Sequence, residues 1–418
     1  MTAGTGATGG RGFGALRGLS RSLALLAGMA FVVQIGVAVM LPLLPLYATQ
    51  IGATPFVLGL LTSGHAVASA VGLLVGGFLT ERFAARRLVA AGIGLYAGAN
   101  ILIATTSAAV PLIAFRSLAG LGGGVNGIAE RLYLTESTAP DRRAFANGLL
   151  SAAGAAGSVM GPVVGGLLVA VSDLRLPFLL VGATSALATL GALFLPRPSA
   201  RTESDTEPEE AAGASGDAAA GDEAADPGRR PIAALFLANL ALQVGFGAFI
   251  TTYAIFATDH MGWSVPEVGI VWAMFGLGSI LLGPWLARRA DLGGRRRIAI
   301  LGSMPVVILP VAMVLGLPRP VIYAATVLAG GGLTAFESAW FALLAEATDE
   351  GRRGRVFGTI TALSNLGVAV GAIGAARAWE LVDIRLAVLL TSVAFGLAGV
   401  AMLAHPPDRV RSVAAAAT

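Results

Sequence analysis

Two acids and one base stand inside otherwise apolar stretches of this chain: Glu130, Glu337 and Arg116. An ionisable side chain in such a setting is costly and marks function by default. A carboxyl withdrawn from water can carry a proton near neutral pH, or it can pair with a cationic guest. Arg116 and Glu130 are 14 residues apart, which puts them within about 40° on one helix face yet about 21 Å apart along it, too far to pair. Arg116 can also snorkel to an interface. Glu130 lies close to the end of its stretch and reads equally as a solvated helix-end charge beside Arg131 or Arg86. Gln34, Asn239 and Gln243 can exchange hydrogen bonds with a polar guest or join helices, and the last two, four apart, share a face. Trp340 and Phe341 beside Glu337, with Trp272 and Phe275, offer faces to an aromatic or cationic guest, or simply pack. His65 can titrate or serve as hydrogen-bonded structure. Three scattered histidines and no cysteine predict no metal cluster, no disulfide and no clustered catalytic set.

The elements that position these groups follow from composition. Of 418 residues, 56% are hydrophobic and only 12% charged, about half the charged share of an ordinary soluble domain. Mean hydropathy is +0.79. Apolar runs of about 18 to 25 residues recur, the length that crosses a bilayer as helix. This excludes a soluble enzyme or nucleic-acid binder and predicts an all-α membrane protein. The expected spans are 23–47, 56–79, 88–106, 110–133, 147–171 and 177–195, then 232–257, 266–287, 298–316, 320–343, 356–379 and 385–404. The result is two six-helix bundles, over 23–195 and 232–404. The first span reads as a retained helix and not a signal peptide.

All 28 basic residues are arginine. They concentrate in the segments on the side of the two termini, with only Arg175, Arg319, Arg377 and Arg385 in the opposite loops. A positive-inside bias therefore makes residues 1–22 and 405–418 cytoplasmic tails. The basic pI of 10.1 reflects these loops and not a nucleic-acid surface. Residues 196–231 are acidic, rich in Ala, Gly and Pro, and nearly free of large apolar side chains, so a disordered cytoplasmic tether is expected.

The halves repeat at an offset of 210. Glu81 maps to Asp291, Arg86-Arg87 to Arg296-Arg297, Glu136 to Glu346, Arg142-Arg143 to Arg352-Arg353, and Gly157 and Gly161 to Gly367 and Gly371. Gln34 echoes Gln243 one residue out of register. Transporters are commonly built by such duplication, with the substrate between the halves.

Local motifs then resemble the major facilitator superfamily, over residues 23 to 404. Gly77-Phe78-Leu79-Thr80-Glu81-Arg82-Phe83-Ala84-Ala85-Arg86-Arg87 is similar to its G-x-L-a-D-r-x-G-r-k loop, with Glu for Asp and Ala84 for the usual Gly. Asp291-Leu292-Gly293-Gly294-Arg295-Arg296 is the second copy. Arg116-Ser117-Leu118-Ala119-Gly120-Leu121-Gly122 resembles R-x-x-q-G-x-g, and Gly157 through Gly166 matches the antiporters' g-x-x-x-G-P-x-x-G-G at Gly157, Gly161, Pro162, Gly165 and Gly166. Glu136 through Gly148 has the look of drug and tetracycline exporters.

The resemblance implies a twelve-helix proton-coupled antiporter of the multidrug type, exporting hydrophobic or amphiphilic small molecules by alternating access. It implies a cavity lined by spans 1, 4, 7 and 10, which gives Glu337, Arg116, Glu130, Gln34, Asn239, Gln243 and Trp340 their claim on substrate or protons. Arg116 would tune the proton site. Gly77, Glu81, Arg86, Glu136, Asp291, Gly294, Arg295 and Glu346 would form conformational latches, with Glu136 and Glu346 partnering the clusters at Arg86 and Arg295. Span 1 lacks the acid that many such exporters carry there, so Glu337 is the first choice for the proton. No cofactor is expected beyond the proton gradient, and no metal. The expected partners are the lipid bilayer, a small-molecule substrate and protons, with the chain acting as a monomer. The all-Arg, Ala-rich composition points to a GC-rich bacterium and hence its inner membrane. The alternative is an uptake symporter or facilitator for a sugar, nucleoside or other metabolite. An intramembrane enzyme or a sensor would need a catalytic cluster or an appended soluble domain.

Overall fold

The computed structural model describes residues 21–139, 142–196, 229–291, 294–349 and 353–406. Most of the expected tether, most of both tails, and Leu292 and Gly293 of the second motif copy lie outside these residues. The first half comprises α1 (Arg21–Gln50), α2 (Pro55–Thr80), α3 (Ala85–Thr105), α4 (Ala109–Ser137), α5 (Arg143–Val171) and α6 (Arg175–Leu193). The second comprises α7 (Arg229–Asp259), α8 (Val265–Asp291), α9 (Arg295–Val314), α10 (Arg319–Glu346), α11 (Arg353–Leu381) and α12 (Ile384–Ala401). All twelve contain stretches long and apolar enough to cross a membrane, matching the twelve expected spans. Several run past the expected limits: α5 starts at Arg143 and not 147, and α4 and α10 end at Ser137 and Glu346 and not 133 and 343. Hydropathy marks the apolar centre of a span, whereas a helix continues into the polar interface as long as its hydrogen bonds do.

The duplication is visible in the packing. The contacts α2–α4, α3–α4, α1–α5, α1–α6 and α3–α6 of the first half are repeated as α8–α10, α9–α10, α7–α11, α7–α12 and α9–α12 in the second. Small residues set these approaches, as expected where lipid supplies no hydrophobic drive between helices. A Cβ on Gly124 would strike the Ser69 carbonyl, and one on Gly330 the Phe275 carbonyl. The turns at the end opposite the termini repeat too. Gly52 and Gly262, 210 apart, both take a left-handed φ, of 85° and 64°, which glycine adopts without strain.

The halves meet along α2–α11 and α5–α8, toward the end opposite the termini. A Cβ on Gly59 would lie 2.7 Å from Ala376 Cβ, and one on Gly166 would lie 3.0 Å from Pro266 Cα. The Phe56 backbone N–H donates to Glu380 Oε1 (3.0 Å). Arg377 bonds the other Glu380 oxygen (3.0 Å) and stacks 4.0 Å over the Phe56 ring. Glu380 of one half thus caps the N-terminus of α2 in the other, where a carboxylate is favoured. At the termini end an open cleft is lined by Ile232 and Phe236 of α7 and Ile360 and Leu363 of α11. The close approaches between the halves at Gly59 and Gly166 thus lie away from the termini.

Candidate functional site

The indole N–H of Trp340 on α10 donates to the Leu235 carbonyl on α7 (2.7 Å), and this bond sets the register of two antiparallel helices. Counting about 1.5 Å per residue from it brings Glu337 and Asn239 to the same level. On α10, Thr334 turns to α8 against Gly283, Gly332 turns to α9 against Gly302, and Trp340 turns to α7. Helical spacing puts Glu337 between the α8 and α7 directions, away from α9. Its side chain is exposed, with no hydrogen-bond or ion-pair partner among the described residues. Asn239, half-buried, also has none.

Thr326 and Leu333 share the Glu337 face of α10 and line a narrow apolar pocket one turn and more further along. Phe246, Phe249 and Tyr253 of α7, Val271, Trp272 and Phe275 of α8, Val306, Leu309 and Pro310 of α9 and Phe395 of α12 complete it. Phe249 stacks on Trp272 at 5.8 Å and on Tyr253 at 4.9 Å between ring centroids. An unpaired carboxyl next to a wall of ring faces is the arrangement that holds an amphiphile by its polar and apolar ends.

The first half is different. Arg116 on α4 is only 7% exposed, and its Nη1 lies 2.8 Å from Met40 Sδ on α1. Its Nε is buried without a partner. The Tyr96 hydroxyl of α3 lies against both Arg116 and Asn100 but is in hydrogen-bond geometry with neither, and Asn100 Oδ1 is likewise unpartnered. His65 Nδ1 of α2 bonds the Arg116 carbonyl (3.2 Å). No carboxylate among the described residues pairs with this arginine. Glu130, half-buried further along α4, accepts from Asn126 Nδ2 (3.2 Å). Arg116 and Glu130 therefore do not meet.

Other expected site residues are already engaged. The Gln34 amide donates to Ser158 Oγ on α5 (2.9 Å), and Gln243 donates to Asn365 Oδ1 on α11 (3.1 Å). Both tie the first helix of a half to its fifth from corresponding glutamines, though to partners three residues apart in the repeat register, since Ser158 maps to Val368 and Asn365 to Ala155. A Cβ on Gly157 or Gly161 would lie 2.6 Å from the Phe31 or Ile35 carbonyl, so both seat α5 on α1. Gly165 faces Val39 and Leu43, while the Pro162 carbonyl and Gly166 face Gly269 and Pro266 of α8. The motif thus builds the seam between the halves as well as the contact inside one.

In the loop clusters, Arg295 pairs with Glu346, and Arg296 donates to the Met402 and Leu403 carbonyls (3.0 and 2.7 Å). The first copy differs. Arg86 donates to the Leu195 carbonyl (3.3 Å), and Glu81 and Glu136 are exposed without partners among the described residues. Gly77 faces open space, and the Asp291 side chain lies outside the described residues. Gly294 takes φ 108° where its counterpart Ala84 takes −57°. A Cβ disfavours the left-handed turn, so the Ala-for-Gly change gives the first loop another path. Sequence reasoning missed Tyr96, Asn100 and the Phe56–Arg377–Glu380 clasp. The repeat carried a signal for the first two, since their counterparts Val306 and Pro310 are apolar.

A sequence model of the Major Facilitator Superfamily matches residues 26–234 and again 235–417. The tetracycline resistance protein, class C, of Escherichia coli is 27% identical over 366 residues, 83% of this chain and 87% of that protein. The quinolone resistance protein NorA of Staphylococcus aureus is 22% identical over 246 residues, 57% of this chain and 59% of NorA. Among solved structures, the nucleoside transporter NupG superposes with a TM-score of 0.72 at 13% identity, covering 92% of this chain and 99% of that one. A D-xylose–proton symporter gives 0.73 at 15%, covering 92% and 97%. At such identities the structural likeness speaks for the fold alone.

Proposed function

Because this chain belongs to the major facilitator superfamily and is a multi-pass membrane transporter, we propose that it is a proton-coupled antiporter exporting hydrophobic or amphiphilic small molecules. The observation that carries this is the unpaired Glu337 carboxyl at the level of Asn239, beside the aromatic pocket of α7, α8 and α10. With few other polar groups near it, the pocket favours an apolar body over a sugar or nucleoside, whose hydroxyls need many partners. The resistance proteins among the relatives support the same direction.

In this reading the cavity open toward the termini loads substrate from the cytoplasm, with Glu337 ionised. The halves then rock, breaking the α2–α11 and α5–α8 seams and exposing the site outside. A proton taken from the outer medium neutralises Glu337 and releases the substrate, and the neutral carboxyl carries the proton back. Glu130 is a second proton site near the cytoplasmic mouth. Glu81, Arg86, Glu136 and Asp291 close the cytoplasmic side in the opposite state. This requires both termini to be cytoplasmic in a bacterial inner membrane.

The test is accumulation of fluorescent dyes and labelled antibiotics in an efflux-deficient bacterium, with and without a protonophore. Wild type is expected to lower accumulation unless the protonophore is present. Glu337→Gln at matched expression is expected to lose protonophore-sensitive export by at least about tenfold. Raised accumulation with the wild type would reverse the direction to uptake. Export surviving Glu337→Gln would remove that residue from coupling.

A further inference from the structure

Arg116 poses a problem that export does not solve. A guanidinium in the protein interior needs a counter-charge or a full set of acceptors. Here it has one thioether contact, from Met40, and an unpartnered Nε. Around it stand the Tyr96 hydroxyl, 94% buried with its ring, and Asn100, fully buried, each with an unsatisfied polar atom. Native interiors rarely leave polar groups open, and several open ones around one charge call for an absent partner. The open donors, Arg116 Nε–H and Tyr96 O–H, together with the net positive charge, specify an anion.

The approach to this nest is also built. Past Arg116, the same face of α4 carries Gly123 and Gly127. A Cβ at Gly123 would meet nothing within 4 Å, and one at Gly127 only a Leu73 methyl at 3.9 Å. In the second half, the Gly123 counterpart is Leu333, which closes off the aromatic pocket. The first half leaves this lane bare from the nest along α4 toward the end of the molecule that carries the termini.

We propose that Arg116, with Tyr96, forms a binding site for a small monovalent anion, either free halide or the carboxylate of a bound organic acid. The anion accepts from Arg116 Nε–H and from the Tyr96 hydroxyl. The site lies in the first half and does not depend on Glu337 or on the direction of transport.

The experiment uses purified full-length protein in detergent, with sodium sulfate, whose doubly charged anion is outside the proposed ligand class, replaced stepwise by chloride or by acetate at constant ionic strength. Thermal unfolding is the readout. A saturable rise in Tm is expected with at least one anion, absent in Arg116→Gln. Tyr96→Phe, which keeps the ring, is expected to shift half-saturation by at least about tenfold, the loss of one hydrogen bond to a charged group. Arg175→Gln, an exposed outer-loop arginine, should leave the response unchanged. A response to chloride alone identifies a resident halide, and one to acetate identifies the acidic end of an organic ligand. If Arg116→Gln fails to fold, Tyr96→Phe decides. No saturable response in the wild type, or one undiminished in Tyr96→Phe, overturns the proposal.

Discussion

Offset by 210 residues, His65, Tyr96, Asn100 and Arg116 of the first half stand where Phe275, Val306, Pro310 and Thr326 stand in the second. With the one-residue slip of the first helix in each half, Met40 answers to Phe249. All five second-half residues line the aromatic pocket, and all five first-half residues surround or form the buried arginine nest. Ser185, buried with an unpartnered hydroxyl, answers in turn to Phe395 of the pocket. One backbone arrangement thus encloses a charged site in one copy and an apolar one in the other. Duplication preserved helix contacts because they rest on backbone approach at glycines. It left the enclosed side chains free to diverge, since helix-to-helix packing does not depend on them.

Exchanging the charge between the two sites carries the largest expected effect. Thr326→Arg puts a cation among phenylalanines with no partner and is expected to cost several kcal/mol, seen as loss of folded protein on size-exclusion chromatography. Arg116→Met at the counterpart removes an uncompensated charge, so in sulfate buffer free of halide and carboxylate its Tm should equal or exceed that of wild type. A stable Thr326→Arg would show that the two sites are not distinct in polarity.

A middle-sized effect sharpens the role of the pocket. Trp272→Ala is expected to raise the dye concentration for half-maximal export by about fivefold, roughly 1 kcal/mol of lost aromatic contact. Its counterpart Thr62→Ala, which removes an acceptor for Thr251 Oγ1, should change export less than about twofold. Equal effects would argue that substrate does not distinguish the halves.

The smallest effect concerns the two seams, which differ in the same way. The α2–α11 seam carries the Phe56–Arg377–Glu380 clasp, whereas Leu167 and Ala170 of α5 stand at the positions of Arg377 and Glu380. Glu380→Gln weakens an only partly buried contact, worth about 0.5 kcal/mol after solvent screening. It should raise labelling of Ile373→Cys, seated against Gly59, from the face opposite the termini by about twofold. The chain has no native cysteine, so the label reports that position alone.

Much of the architecture was legible beforehand. Twelve spans, two bundles and the repeat follow from apolar runs and from landmarks such as Glu136 and Glu346, because a continuous apolar run of that length satisfies its backbone in lipid as a helix. Glu337, Arg116 and the glycines at 157, 161, 165 and 166 stood out because charge and small size are conspicuous in such runs. Pairings were less legible. Glu346 meets Arg295 as expected, while Arg86 turns to the Leu195 carbonyl and Glu136 to open surface. Trp340 and the two glutamines bond to neighbouring helices, a use that no spacing along one helix distinguishes from contact with a guest.

The sequence by itself determined that this chain crosses the membrane twelve times in two related halves, since the cost of burying polar backbone and charge in lipid is local and additive along the chain. It did not determine which faces of those helices meet. A span that is apolar all round carries little amphipathic signal to orient it. The tertiary structure alone gathers Tyr96 and Asn100 on Arg116, encloses a pocket beside Glu337 with nine apolar and aromatic residues of α7, α8 and α9, and closes the halves at the end away from the termini. Those outcomes depend on shape, on how closely glycines let two backbones approach, and a string of residue types does not record shape.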